Sequence, residues 1–261
     1  MSENRVTVDR RGPLLLIGLN RPEKRNAADL AMLEQLALAY GELDRDPELR
    51  VGVVHAHGEH FTAGLDLGDL APRIGPDGLR IVPEGGINPW GTEGAQVSKP
   101  VVLAVQGTCL TLGIELALAS DVVIAADDTV FAQLEVARAI LPFGGATTRF
   151  AARAGWGDAM RWMLTGDRFD AAEAHRMGLV QEVVPAGAQL DRALELAERI
   201  AAQAPLAVQA TLANARLADR EGHAAAEARL QGELVRLMRT DDARIGLEAF
   251  MTRTTPQFTG R

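Results

Sequence analysis

The apolar residues of this chain come in a repeating order, and that order narrows the fold more than any figure of composition. Val51-Gly-Val-Val54 is short, apolar and β-branched, as a buried strand requires, and it delivers the chain into a glycine-rich stretch at 58–64 and a short helical pattern at 66–70. Residues 101–105 begin the same sequence of events, with Gly107 as the break and 112–120 as the helix, and 122–125 and 129–132 read as further strands. Upstream, Val6, Val8 and then residues 14–19 flank the turn Arg11-Gly12-Pro13, the pattern of a hairpin. Asp29 is placed to cap a helix in which Leu30, Leu33, Leu36, Ala37, Tyr40 and Leu43 recur at helical spacing until Pro47 stops it. The recurring unit is two strands and a helix, so the chain is expected to be α/β.

From Ala188 onward the apolar positions keep helical spacing through Leu190, Leu206, Leu230 and Leu247, which predicts four closing helices. Such a run is expected to form a layer added to a core, with the core at residues 1–200 and the helical region at 201–261. Residues 75–94 hold nine Gly or Pro in twenty positions, too many for regular structure, and are expected to form a mobile flap.

Charge and cysteine content exclude several classes. Lys plus Arg total 27 against 35 Asp plus Glu, a net charge of -8 with no basic patch, which argues against a nucleic-acid partner. A single cysteine, Cys109, excludes an intrachain disulfide and fits a reducing, cytoplasmic setting. The charged start Met1-Ser-Glu-Asn-Arg is not the apolar core of a signal peptide. The least polar stretch, 110–126, carries Glu115 and Asp121, so no membrane span is expected.

Glu115 is the only charge in the twelve residues from Cys109 to Ser120. If Leu112, Leu116 and Ala119 face the core, Glu115 lies beside that face, and burial would raise its pKa toward the range useful for proton transfer. The plain alternative is a glutamate favoured by a helix N-terminus. Glu135, in Phe131-Ala-Gln-Leu-Glu-Val-Ala137, follows a strand and is equally compatible with a solvated loop. Two carboxylates matter because one can hold a water while the other moves a proton, once something fixes their geometry. His55 and His57 fall on one face of a strand with His60 nearby, but no carboxylate or cysteine completes a metal set. Cys109 has no evident nucleophile partners, and Gly144-Gly145 lacks the surroundings of a phosphate loop.

Taken together these segments resemble the enoyl-CoA hydratase/isomerase (crotonase) family over essentially the whole chain. Leu19-Asn-Arg-Pro-Glu-Lys-Arg-Asn-Ala27 looks like its N-terminal signature, Phe61-Thr-Ala-Gly-Leu-Asp-Leu67 like its first oxyanion loop, and 107–121 like the second. Glu135, Pro142-Phe-Gly-Gly-Ala-Thr147, 164–174 and Gly178-Leu-Val180 follow in order. The resemblance implies a superhelix of strand-strand-helix units with C-terminal helices that build trimers or hexamers. It also implies an acyl-CoA thioester as partner and substrate, with no cofactor beyond the coenzyme A of that substrate. Glu115 and Glu135, twenty residues apart, would be the acid/base pair of a hydratase, and the backbone N–H groups of Leu65 and Leu112 the oxyanion donors. Ala63, Asp66 and Leu67 lie in the first loop, Trp90 would wall the acyl pocket together with Ile87, Lys24 and Arg25 would meet the CoA phosphates, and Phe250 and Arg253 resemble positions that reach CoA in a neighbouring subunit. Leu65 stands where the family usually has Ala, and Thr111-Leu112-Gly113 where it has a glycine-rich run. These departures are expected to reshape the pocket. Double-bond isomerisation is the alternative reaction, and a non-catalytic acyl-CoA-binding role the more remote one.

Overall fold

A computed structural model describes residues 4–261; residues 1–3, the start of the charged N-terminal stretch, lie outside the described residues. In chain order the elements are β1 (Val6–Arg11), β2 (Leu14–Leu19), α1 (Leu30–Arg45), β3 (Val51–Ala56), α2 (Leu67–Leu70), β4 (Val101–Val105), β5 (Thr108–Leu110), α3 (Leu112–Ala119), β6 (Val122–Ala126) and β7 (Val130–Ala132). They continue with α4 (Ala146–Ala154), α5 (Trp156–Thr165), β8 (Phe169–Asp170), α6 (Ala171–Arg176), β9 (Glu182–Val184), α7 (Gln189–Ala201), α8 (Pro205–Glu221), α9 (His223–Leu237) and α10 (Asp241–Thr252). The expected hairpin, repeating units and four closing helices are all present, and the fold is α/β. The Asp29 cap is formed as well, its carboxylate accepting from Met32 N at 2.9 Å.

β1-β2-β3-β4-β6-β9 form one sheet, antiparallel only at β1/β2, and β5-β7-β8 form a second, smaller one. Strand alternation then builds two cores. β2 is buried at every position, because successive side chains face opposite sides of a sheet that is covered on both. Leu15, Ile17 and Leu19, with Val54, Leu103 and Val123, point into the main core against α1 and α3. Leu14 and Leu16, with Val51, Val53, Val102 and Ile124, point the other way onto Ala193, Ala197 and Ala201 of α7. Those three alanines are four apart, so they lie along one stripe of the helix and let its backbone approach the sheet.

β5, β8 and β9 are only three, two and three residues long, too short for periodicity to reveal, and α4 to α6 were likewise not anticipated. The 75–94 stretch has no helix or strand, as expected, but it is pinned rather than detached. Ile87 N donates to Ala37 O at 2.9 Å, and Trp90 is 3% exposed within the main core. No helix among the described residues is long and apolar enough to cross a membrane.

The α7 contact gives a stability test. Ala197 is fully buried against the sheet, so Ala197→Leu forces added methylenes into a closed space and is expected to destabilise by about 1–3 kcal/mol in urea unfolding, with an unchanged m-value.

Candidate active site

The ends of β3 and β4 bring two segments side by side. Phe61 N donates to Gln106 O, Thr62 N to Thr108 O, and Leu110 N to Thr62 O, each at 2.9–3.0 Å. The other edge of the 62–66 segment is held by Ala63 N to Arg25 O, Ala28 N to Gly64 O and Asp66 N to Ala28 O. Asn26, fully buried, locks the crossing: its Nδ2 donates to His57 O and His60 O at 2.9 and 2.8 Å, and its backbone oxygen accepts from Thr62 Oγ1 at 2.7 Å. Between these ties the Leu65 N–H has no acceptor among the described residues.

Leu112 opens α3, so its N–H is one of the unpaired donors of a helix start, and it too has no acceptor among the described residues. Thr111 before it adopts φ 51°, ψ -112°. That is an outlier for a β-branched residue, costing about 1–3 kcal/mol, and it sets the direction of the Thr111–Leu112 peptide. The Thr111 hydroxyl is buried without a hydrogen-bond partner and presses against Gly64, where a Cβ would collide with it. The two loops carrying Leu65 and Leu112 therefore touch through Thr111 and Gly64.

One turn beyond Leu112, Glu115 is 3% exposed, so the expected partial burial is nearly complete. Its Oε1 accepts from Ala146 N at 3.1 Å, at the start of α4. Burial raises its pKa above the ordinary carboxylate range, opposed by the amides of Ala146, Gly144 and Gly145 and by the charge of Arg149. Gly144 lies directly over the carboxylate: a Cβ there would stand 2.6 Å from Glu115 Oε2.

Glu135 opens a short 3-10 turn after β7 and is 6% exposed, not solvated. Gln133 Nε2 donates to its Oε1 at 3.0 Å, while its Oε2 is buried without a hydrogen-bond partner. Burial, joined by repulsion from Glu115, pushes its pKa up to about 7. The fold thus brings the two glutamates into electrostatic contact. It also gives them unlike surroundings: Glu115 is held by the backbone amides at the start of α4, while Glu135 has its own backbone amide and the side-chain amide of Gln133.

Trp90 belongs to the same neighbourhood. Its indole Nε1 donates to Leu112 O at 3.0 Å, and its ring edge reaches the Gly144 position that overlies Glu115. Arg25 and Ala63 line a groove of about 690 Å³ that also includes His60, Leu110 and Arg168. Lys24 is exposed beside it in sequence and does not line it. Asp66 commits its carboxylate to Arg21 at 2.7 Å, which lowers its pKa, and Leu67 begins α2. Phe250, 83% exposed, and Arg253 line a separate groove of about 780 Å³ on α10, so within one chain they are not brought to the glutamates.

His55 and His57 pack edge to face at 5.2 Å, with His57 Nε2 2.7 Å from Thr7 Oγ1, and His60 Nδ1 accepts from Thr108 N at 3.2 Å. No group of three or more His, Cys, Asp or Glu that could hold a metal occurs among the described residues. Cys109 is fully buried, which pushes its thiol pKa up and leaves it a core residue. Sequence reasoning gave no part to Asn26, Gln133, Gly144 or Arg149. Gly144 stands in the Pro142-Phe-Gly-Gly-Ala-Thr147 segment that carries the resemblance, but its place over the Glu115 carboxylate depends on where α4 begins, which the sequence does not indicate.

The enoyl-CoA hydratase/isomerase family matches residues 9–261. An enoyl-CoA hydratase of Mycobacterium tuberculosis is 33% identical over 97% of this chain and 96% of its own length. The 2,3-dehydroadipyl-CoA hydratase of Escherichia coli is 34% identical over the whole of both chains. Among solved structures, a probable enoyl-CoA hydratase/isomerase from Mycobacterium abscessus superposes with a TM-score of 0.96 at 57% identity, covering 99% of each chain. With its fold, its buried glutamate pair and these relatives in accord, the chain belongs to the enoyl-CoA hydratase/isomerase family.

Proposed function

We propose that this protein is an enoyl-CoA hydratase, adding water across the double bond of a 2-enoyl-CoA thioester. The observation that carries the reading is the buried pair Glu115 and Glu135, one carboxylate held by backbone amides and the other with its pKa pushed to about 7. The relatives named as hydratases, 33% and 34% identical over essentially the full chain, support it.

In this mechanism Glu115 takes a proton from water as its oxygen bonds to C3 of the enoyl group. The double-bond electrons move toward the thioester carbonyl, whose oxygen receives the N–H groups of Leu65 and Leu112. Glu135 delivers a proton to C2, and the proton taken up by Glu115 passes back to Glu135 to restore the pair, so the net change is one added water. Each preorganised amide aimed at the developing charge is worth about 3 kcal/mol. The acid/base pair contributes roughly 10² to 10⁴ in rate. No metal or redox cofactor is needed, because these groups supply both proton transfers and charge stabilisation; coenzyme A enters with the substrate. Arg25 and Ala63 on the 690 Å³ groove support a path for CoA past the first loop, with Lys24 at its edge and Asp66 and Leu67 continuing the loop.

The proposal includes a homotrimer, or a hexamer of two trimers, built by the helical region 201–261 on the 1–200 core. Leu230, Leu234 and Val235 on α9, Met238 just after it, and Leu247, Phe250 and Met251 on α10, are each at least half exposed, an apolar surface that one chain leaves uncovered. Phe250 and Arg253 would then serve a neighbour's CoA. A cytoplasmic site of action accompanies this reading, supported by the single, buried cysteine.

Four outcomes test the proposal. Loss of enoyl-thioester absorbance with a panel of 2-enoyl-CoA substrates is expected to slow roughly 10²-fold or more in Glu115→Gln and in Glu135→Gln; isomerase activity that survives loss of Glu115 counts against hydration. Because Glu135 must hold its proton, kcat is expected to fall as pH rises past about 7. Its folded pKa is raised above the unfolded value of 4.5, so its contribution to stability is full below that pH and is lost as pH rises through about 7. Glu135→Gln is therefore expected to raise Tm over the parent at about pH 8, by a margin that shrinks toward acid pH. Light scattering is expected to give a trimer or its multiple, and Leu234→Glu a smaller mass; an unchanged mass would set aside α9 as an interface.

A further inference from the structure

Thr111 holds a conformation that its own side chain disfavours. At φ 51° and ψ -112° it occupies a region that β-branched residues rarely enter, whereas glycine would adopt it without strain. The side chain adds a second cost, because its hydroxyl is buried and takes no hydrogen bond among the described residues. What the side chain does have is a contact. The three atoms nearest to the place a Cβ would take on Gly64 are all its own: Thr111 Oγ1, close enough to collide, and Thr111 Cβ and Cγ2 at 3.4 and 3.6 Å. The α-carbon of Gly64 therefore rests on Thr111.

This contact lies one residue from each donor. The Leu112 N–H follows Thr111 and the Leu65 N–H follows Gly64, and neither has an acceptor among the described residues. Each donor's peptide is oriented within its own segment. Gly64 O accepts from Ala28 N at 2.9 Å, and Thr111 O accepts from Glu115 N at 3.1 Å. Neither bond sets the gap between the two segments. The backbone pairing that joins them ends with Leu110 N to Thr62 O, and beyond it no hydrogen bond among the described residues crosses from 63–66 to 111–114. There the Thr111 side chain against Gly64 holds the spacing. Two donors that serve one oxyanion must each come within about 2.7–3.1 Å of it, so a change in that gap lengthens at least one bond.

Resting on the hydratase reading for the two donors, we propose that Thr111 is a positioning residue, whose strained side chain spaces the Leu65 and Leu112 amides so that both meet one thioester oxygen. It acts through those amides and does not touch the substrate, since its hydroxyl is buried. Glycine at 111 would keep the backbone conformation available but would leave the gap to Gly64 unfilled and the 111–112 peptide freer to turn. The strain at Thr111 is thus tied to the aim of the donors.

The test is infrared difference spectroscopy on the intact protein with butanoyl-CoA, saturated and so beyond hydration, isotope-labelled at the thioester carbonyl. Hydrogen bonds from the two amides lower the stretching frequency of that carbonyl, so the spectrum reads the donors directly. The wild type is expected to shift the bound carbonyl to lower frequency, and Thr111→Gly to lose about half of that shift or more. With a 2-enoyl-CoA that the wild type hydrates, kcat of Thr111→Gly is expected to fall on the order of 10- to 100-fold with KM nearly unchanged. Thr111→Ser, which keeps a hydroxyl against Gly64, is expected to retain most of both, and Thr111→Ala to fall between. A full wild-type shift in Thr111→Gly or in Thr111→Ala overturns the proposal, as does a loss confined to KM, or a serine variant as impaired as the glycine one. An unshifted carbonyl in the wild type overturns it together with the assignment of the two donors, whether or not any variant folds. A shift that depends on Thr111 in a protein that hydrates no enoyl thioester would remove the hydratase reading and leave this one standing.

Discussion

The site depends on backbone pairing between the chain after β3 and the chain after β4. Thr62 exchanges hydrogen bonds with Thr108 and Leu110, and Asn26 ties the same crossing from the N-terminal side. These bonds fix the two segments from which the Leu65 and Leu112 amides project. They are main-chain bonds, so they hold whatever side chains stand at 65 and 112. That is why leucines can occupy both positions without removing either donor.

Such rigidity is bought with local strain. Thr111 is held at positive φ with a buried, unpartnered hydroxyl, and the neighbouring loop answers with a glycine at 64 because no Cβ fits against it. Gly144 plays the corresponding part over Glu115. Positions of this kind persist only where surrounding structure over-determines them, and here the main core around Phe61, Leu112 and Ile114 does so.

The electrostatics follow from the same packing. Burial alone would raise both glutamates alike. The turn into α4 supplies backbone amides to Glu115 and none to Glu135, and Arg149 adds its charge to the same side. The asymmetry of the pair is thus a property of where α4 begins.

The sequence by itself determined the hairpin, the repeating strand-strand-helix units, the Asp29 cap and the closing helices, because hydrophobic period and turn chemistry are local. It also marked Glu115 as a charge with nowhere to hide, and through resemblance it indicated the partner carboxylate and the two loops. Only tertiary structure decided that Glu135 is buried rather than solvated, since its burial comes from neighbours remote in sequence. It likewise decided that Trp90 is a core residue bonded to Leu112 O, in a stretch whose glycines and prolines indicated only irregular backbone. The short strands β5, β8 and β9, the Asn26 clamp and the place of Arg149 beside Glu115 were not legible for the same physical reason: two or three residues carry no period, and a side chain's partners are set by contacts that the chain makes only after it has folded.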